Sequence, residues 1–206
     1  MANDTRSRMI RGAARMVGIR GAAATSLREL AKEAGVPFGS TYHHFPGGKH
    51  ELVTEAVRAQ GAHVDQLIER TRTEGPDAAL AALLDEWRRV LERSDFRAGC
   101  AVLAVATEDD PDLRATANQV FHSWRTRLAG ILAEHGVAAS QADRLAWTIV
   151  AAVEGAVALC RAERSLTPLE SVVTELGELA RSAIRSANPE ERQPQASSRP
   201  RRRTAR

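Results

Sequence analysis

Two segments flanking Gly35 constrain this chain more than any other part of it. Residues 25–34, TSLRELAKEA, and residues 38–45, FGSTYHHF, each read as a helix. Both are too short to be stable alone, so they must be held by packing across a tight turn. Thr25 or Ser26 is the expected N-cap of the first helix, because a hydroxyl there accepts an orphan backbone N–H of the opening turn. Glu29, three residues after Ser26, completes a capping box. Leu27, Leu30, Ala31 and Ala34 recur at three and four residues and form one apolar stripe, with Arg28 and Lys32 off it. Gly35 ends the helix where a positive φ is needed, and Val36 anchors the turn.

The second helix is anchored by Val36 and Phe45 and projects Phe38 to His44 outward. Ser40, Thr41, Tyr42, His43 and His44 are polar, aromatic or basic groups that suit phosphates and base edges, and Gly39 lets a backbone approach closely. Pro46-Gly47-Gly48 breaks the helix, and Lys49 opens the next one with a cation placed for a phosphate. A metal reading of the Tyr-His-His run fails. His43 and His44 are adjacent and diverge on a helix, with no Cys or acidic cluster beside them in sequence. On these residues alone, a major-groove reader and an ordinary helical hairpin both stay open.

A longer pattern separates them. Thr25-Ser26, then Ala34-Gly35-Val36, then Gly39-Ser40-Thr41-Tyr42-His43-His44-Phe45, then Lys49-His50-Glu51-Leu52 closely resembles the N-terminal domain of TetR-type transcriptional regulators. The resemblance covers residues 5–57. The Pro46-Gly47-Gly48-Lys49 loop, one residue longer than usual, and Gly99-Cys100-Ala101-Val102 with Ala104-Val105-Ala106 are similar to the LmrA/YxaF-like subgroup. Phe38 departs from the Lys, Arg or Gln common in the family at that position. The resemblance implies backbone contacts to double-stranded DNA from Thr25 or Ser26, Tyr42, His43 and Lys49. It implies base-edge contacts from Arg28, Gly39, Ser40 and His44, with Phe38 and Thr41 on the same helix. It also implies a homodimer reading a palindromic operator.

The rest of the chain reads as all-α, about nine helices in total. The expected organisation is a three-helix DNA-binding domain over residues 1–48, a helical effector-binding and dimerisation domain over 49–186, and a disordered basic tail over 187–206. Helices are predicted over 4–20, 48–72, 76–93 and 98–107, from Asp110-Pro111 to 135, from a Ser140 cap to 163, and from a Thr167 cap with Pro168 to 186. Leu145 to Leu159 is apolar on more than one face, which marks a central helix or a subunit contact. The resemblance places the dimer interface on 140–163 and 167–186, with Glu154-Gly155 at the seam.

Charge is distributed to match. Residues 1–50 carry a net +5, residues 51–186 a net −6 and residues 187–206 a net +4. A basic module on an acidic body is the layout of a DNA reader with a second role. Only Cys100 and Cys160 occur, no unbroken apolar run reaches spanning length, and the N-terminus lacks an apolar leader, which together point to a cytoplasmic protein. No nucleophile elbow, phosphate loop, HExxH or paired-carboxylate site is present, so the sequence predicts neither an enzyme nor a cofactor or metal. A helical protein-binding adaptor is the competing class.

Trp87, Phe96, Phe121, Trp124 and Trp147 fall in the body and offer aromatic walls for a small apolar or aromatic effector. Cys100, His63, His122 and Asn118 are candidate polar groups. Each aromatic alone also fits plain core packing. Cys100 as a redox sensor is the alternative, and it requires a thiol pKa lowered by Arg97 or a helix N-terminus. The resemblance further implies a repressor released when an effector binds, with the long fourth helix as lever.

Overall fold

Neither short helix is left to stand alone. The computed structural model describes residues 2–187, among which there are nine α-helices and no strand. They are α1 (Ala2–Arg20), α2 (Leu27–Glu33), α3 (Phe38–His44), α4 (Gly48–Arg70), α5 (Pro76–Arg93), α6 (Ala101–Ala106), α7 (Pro111–Glu134), α8 (Ala139–Glu163) and α9 (Thr167–Ala187). The expected basic tail falls on residues beyond 187 and lies outside the described residues.

Local signals set most of the boundaries. Ser26, not Thr25, is the N-cap of α2, and its reciprocal capping box with Glu29 is formed. Asp110 caps α7 by accepting the N–H groups of Asp112 and Leu113, both at 3.0 Å, ahead of Pro111. Two expected caps are displaced. Ser140 lies inside α8, whose start is set by the Ala138 carbonyl accepting from Gln141 and Ala142. Thr167 lies inside α9, because the Leu166 carbonyl already accepts from Leu169 and Glu170. In both cases a backbone carbonyl one or two residues upstream initiates the helix before the hydroxyl is reached.

Two apolar clusters divide the chain. The smaller joins Met9, Ala13 and Met16 of α1 to Leu30 and Ala31 of α2, then Val36, Phe45, and Leu52 and Ala56 of α4. The larger spans α4 to α9 and also takes Val17, Val53 and Val57. Successive residues of α4 therefore face different cores: Leu52 and Ala56 serve the head, Val53 and Val57 the body.

α8 occupies the middle of the body, packed on both α7 and α9. By length and composition it is apolar enough to cross a membrane, although charged residues interrupt its apolar run. Its apolar character has another cause here. Ile149, Val150, Val153, Ala156 and Val157 are buried inside the protein.

Candidate functional site

The turn between α2 and α3 is made by backbone geometry. Gly35 has φ +64, the Gly35 N–H donates to the Lys32 carbonyl at 3.1 Å, and the Val36 N–H donates to Ala31 at 3.0 Å. Such a φ strains any residue with a Cβ. Arg20 pairs with Glu29 at 3.0 Å and steadies the α2 entry. Hydrogen bonds from Ser26, together with that arginine, hold the Glu29 carboxyl below the usual carboxylate range. Arg15 of α1 pairs with Glu33 at the other end of α2.

α3 is clamped from below. Phe45 is fully buried, Val36 nearly so, and the Arg6 guanidinium lies 5.1 Å from the Phe45 ring centroid. Above, the exposed side of α3 carries Phe38, Gly39, Tyr42 and His43, with Ser40 and His44 half-buried at its margins. Tyr42 is 55% exposed, an unusual position for an aromatic ring. Phe38 and Tyr42 pack edge to face at 5.9 Å, and Arg28 of α2 lies 5.4 Å over the Phe38 ring. His43 and His44 also meet edge to face, at 5.2 Å. Arg28 and Ser26 are exposed, and Lys49 stands half-buried in the first turn of α4.

Two expected members of this face point inward. Thr41 is fully buried, and its Oγ1 has no hydrogen-bond partner. A seven-residue helix must bury one side to be held at all, and Thr41 sits on that side, so it cannot reach DNA. Thr25 is buried as well, its hydroxyl donating to the Ala22 carbonyl at 2.9 Å. That bond fixes the loop before α2 and leaves Ser26 as the exposed hydroxyl at its start.

Head and body are joined by more than α4. The Gly99 N–H donates to the Gly18 carbonyl at 2.8 Å, and Arg161 of α8 donates to the Ile19 carbonyl at 3.0 Å. Glu108, just past α6, accepts from the backbone N–H groups of Ala22 and Ala23 in the loop that leads to α2. His50 of α4 lies 3.6 Å from Asp110, at the start of α7. His50, Asp110 and Asp112 lie close enough to share a cation, a grouping distant in sequence and so invisible there. Its groups are exposed or half-exposed, and the Asp110 carboxyl is already held low by the Leu113 N–H first and His50 later.

In the body, a narrow apolar cavity lies between α4, α5, α7 and α8. Val64, Ile68, Leu83, Leu128, Ile149, Val150 and Val153 line it with Trp87, Trp124 and Glu154. Of the six expected effector contacts, Trp87 and Trp124 are placed there. Phe121 stands behind, edge-on to Trp124 at 5.5 Å. Cys100 lies behind the lining, close enough to Glu154 for the two groups to perturb each other's protonation. Phe96 sits in the α5–α6 link with φ +56, outside the lining. Trp147 is 39% exposed and packs on His122 and Arg125. His63, His122 and Asn118 face outward. The polar group of the cavity is instead Glu154. Its only trace in the sequence was a single carboxylate inside the apolar stretch 145–159.

Burial pushes Glu154 up to about 7. Burial first, and then the Glu154 charge, push the Cys100 thiol well above its ordinary value. The thiolate required for redox sensing is therefore suppressed, even though Cys100 caps α6.

An exposed aromatic-polar helix on a Gly-turned helix pair, carried by a helical body, defines a helix-turn-helix DNA-binding protein. Residues 9–56 match the family described as bacterial regulatory proteins, tetR family, and residues 76–175 match the LmrA/YxaF-like transcriptional regulator C-terminal domain. An HTH-type transcriptional regulator of Mycobacterium tuberculosis (strain H37Rv) is 38% identical over 182 residues, spanning 84% of this chain and 93% of the relative. YxaF of Bacillus subtilis is 32% identical over 183 residues, spanning 86% and 96%. A TetR regulatory protein of Rhodobacter sphaeroides superposes with a TM-score of 0.73 at 26% identity, covering 84% of this chain and 96% of that one. The chain belongs to the TetR family of transcriptional regulators, with an LmrA/YxaF-like C-terminal domain. Regulators of this family bind DNA operators and act as dimers.

Proposed function

We propose that this chain is a cytoplasmic repressor whose dimer grips a palindromic operator through two copies of α3 and lets go when a small apolar or aromatic effector enters the body cavity. The observation that carries the DNA half is the exposed Phe38–Tyr42 pair with Arg28 stacked over it, on a helix clamped by a fully buried Phe45. Among the described residues, Arg28 covers the Phe38 ring and Tyr42 stays 55% exposed. Ser26, Tyr42, His43 and Lys49 hold phosphates, while Arg28, Phe38, Gly39, Ser40 and His44 face bases.

The dimer contact rests on α8 and α9. Leu159 and Leu179 are 53% and 51% exposed, and no neighbour fills the space beside Gly155. Large exposed aliphatics beside an open glycine suit close packing against a second copy. Glu154 does not share that seam, because it points the opposite way into the cavity.

The lever follows from the walls of the cavity. Val64 and Ile68 belong to α4, whose first turns carry the head. A ligand that widens the cavity displaces α4 and changes the separation of the two α3 helices. It does so only in proportion to its preference for the widened state. Burial of Cys100 removes support from the redox alternative.

The test is a titration with random-sequence duplex and with an operator recovered by in vitro selection, at several salt concentrations. A DNA reader binds both with steep salt dependence and the operator far more tightly. Binding that survives Tyr42→Ala and Lys49→Ala together refutes the assignment of α3, and a salt-insensitive or absent interaction favours the adaptor class.

A further inference from the structure

Glu154 is a carboxylate in the wrong company. The other side chains lining its cavity are aliphatic or tryptophan, and it is the one acidic or basic residue among those described there. It is 7% exposed. One of its oxygens, Oε2, is buried with no hydrogen-bond partner. The Trp124 indole N–H already donates to the Gly61 carbonyl at 3.1 Å. An unpartnered buried acceptor costs about 1–3 kcal/mol, so an apolar residue would serve a purely structural role better.

We infer that Glu154 is the polar recognition group of the effector site, and that the effector is a compact apolar or aromatic molecule presenting a single hydrogen-bond donor, an amine or a hydroxyl, to Oε2. The inference rests on the ligand-responsive reading above in calling that ligand an effector. The chemistry of the lining disfavours the opposite polarity. A carboxylate or phosphate ligand would meet Glu154 with no lining cation to offset it. The indoles of Trp87 and Trp124 supply flat faces for an aromatic body or a cation.

The cavity is contracted, with about 20 Å³ free. That is room for little more than one water, whereas ligand pockets run to roughly 300 Å³ and above. Occupancy therefore requires a wall to move, and the wall is built from four helices that include α4. Recognition at Glu154 and displacement of α4 are consequences of one event.

A matched set of probes tests this on the full-length protein: benzylamine, benzyl alcohol, toluene and benzoate, which share one ring and differ in one group. Binding is read from the tryptophan indole N–H resonances, with Trp147, outside the cavity, as internal control. The expected result is that benzylamine or benzyl alcohol shifts the Trp87 and Trp124 signals and binds about tenfold tighter than toluene, with benzoate weakest. Glu154→Leu should erase that preference and favour toluene, and Glu154→Gln should retain the alcohol while losing any advantage of the amine. Toluene or benzoate matching the donor probes, a preference unchanged in Glu154→Leu, signals confined to Trp147, or no binding by any probe overturns the inference. Operator affinity is measured separately. A donor probe that binds through Glu154 and leaves operator affinity unchanged upholds the site and refutes the ligand-responsive reading.

Discussion

The backbone N–H of Gly99 donates to the carbonyl of Gly18 across 2.8 Å, joining the end of α1 to the segment that enters α6. The two backbones touch because Gly18 has no side chain. A Cβ on Gly18 would lie 2.3 Å from the Gly99 oxygen, a distance that no relaxation of a flexible side chain can relieve. Gly18→Ala should therefore destabilise the protein by about 1–3 kcal/mol through forced backbone shifts. Urea denaturation followed by circular dichroism measures this, and an unchanged midpoint would show that α1 is not seated on α6 as described. Because α6 also begins at Cys100 beside Glu154, the same variant should weaken the coupling between effector and operator.

Phe38 gives the second prediction. At a position where the family resemblance implies a long polar side chain, this protein presents a ring held by Arg28 and Tyr42. An apolar group in the major groove discriminates the 5-methyl of thymine. Phe38→Ala should lower affinity for the selected operator about tenfold and relax its preference at one base pair, consistent with roughly 1–3 kcal/mol per good base contact. Replacing that thymine by uracil should cost the wild type a similar factor and the variant little. An equal loss in both proteins would place Phe38 elsewhere.

Lys49 should behave differently. It stands in the first turn of α4 and is expected to hold a phosphate, which carries no sequence information. Lys49→Ala should weaken operator and random duplex by a similar factor and reduce the slope of log affinity against log salt by about one. A loss confined to the operator would assign Lys49 to base readout instead.

Thr41 shows where the sequence could mislead. Its neighbours Ser40 and Tyr42 look outward, and polarity alone puts all three on one face. The face is decided by which side of a short helix Phe45 and Val36 must bury, and that side includes Thr41. Local capping and turn chemistry were legible because they act within a few residues, as at Ser26, Gly35 and Asp110. The role of Glu154 was not, because its meaning comes from α4, α5 and α7 closing over it. For the same reason, Trp87 and Trp124 could not be told from Phe96 and Trp147 by composition. All are aromatic residues of the body, and only packing separates lining from surface.

The buried Thr41 hydroxyl, lacking a partner, supplies the fourth prediction. Thr41→Val keeps the shape and deletes an unsatisfied group, so stability should rise by about 1 kcal/mol. Operator affinity should stay within twofold of wild type, roughly 0.4 kcal/mol, since nothing on the exposed face changes. A tenfold loss of DNA binding without loss of stability would restore Thr41 to the reading face.

Glu154 titrates near 7 in the folded protein against an ordinary 4.5, chiefly because burial disfavours its charge. The folded state therefore holds the proton more tightly than the unfolded chain. The sign follows from linkage: the stabilising contribution is complete below about pH 4.5, declines as pH rises from there to about 7, and is lost above it. A shift of that size corresponds to about 3 kcal/mol. Exposed carboxylates such as Glu29 and Asp95, which are held low, push the other way at acidic pH, so the comparison is made as a difference. Thermal unfolding of wild type and Glu154→Leu across pH 4 to 8 should show the variant gaining on the wild type steadily up to neutrality and then holding a constant advantage. A donor-bearing ligand that pairs with the ionised carboxylate should narrow that advantage at pH 8. A difference curve flat from pH 4 to 8 would mean that Glu154 reaches solvent, and the cavity would then lack the desolvated acceptor on which its selectivity depends.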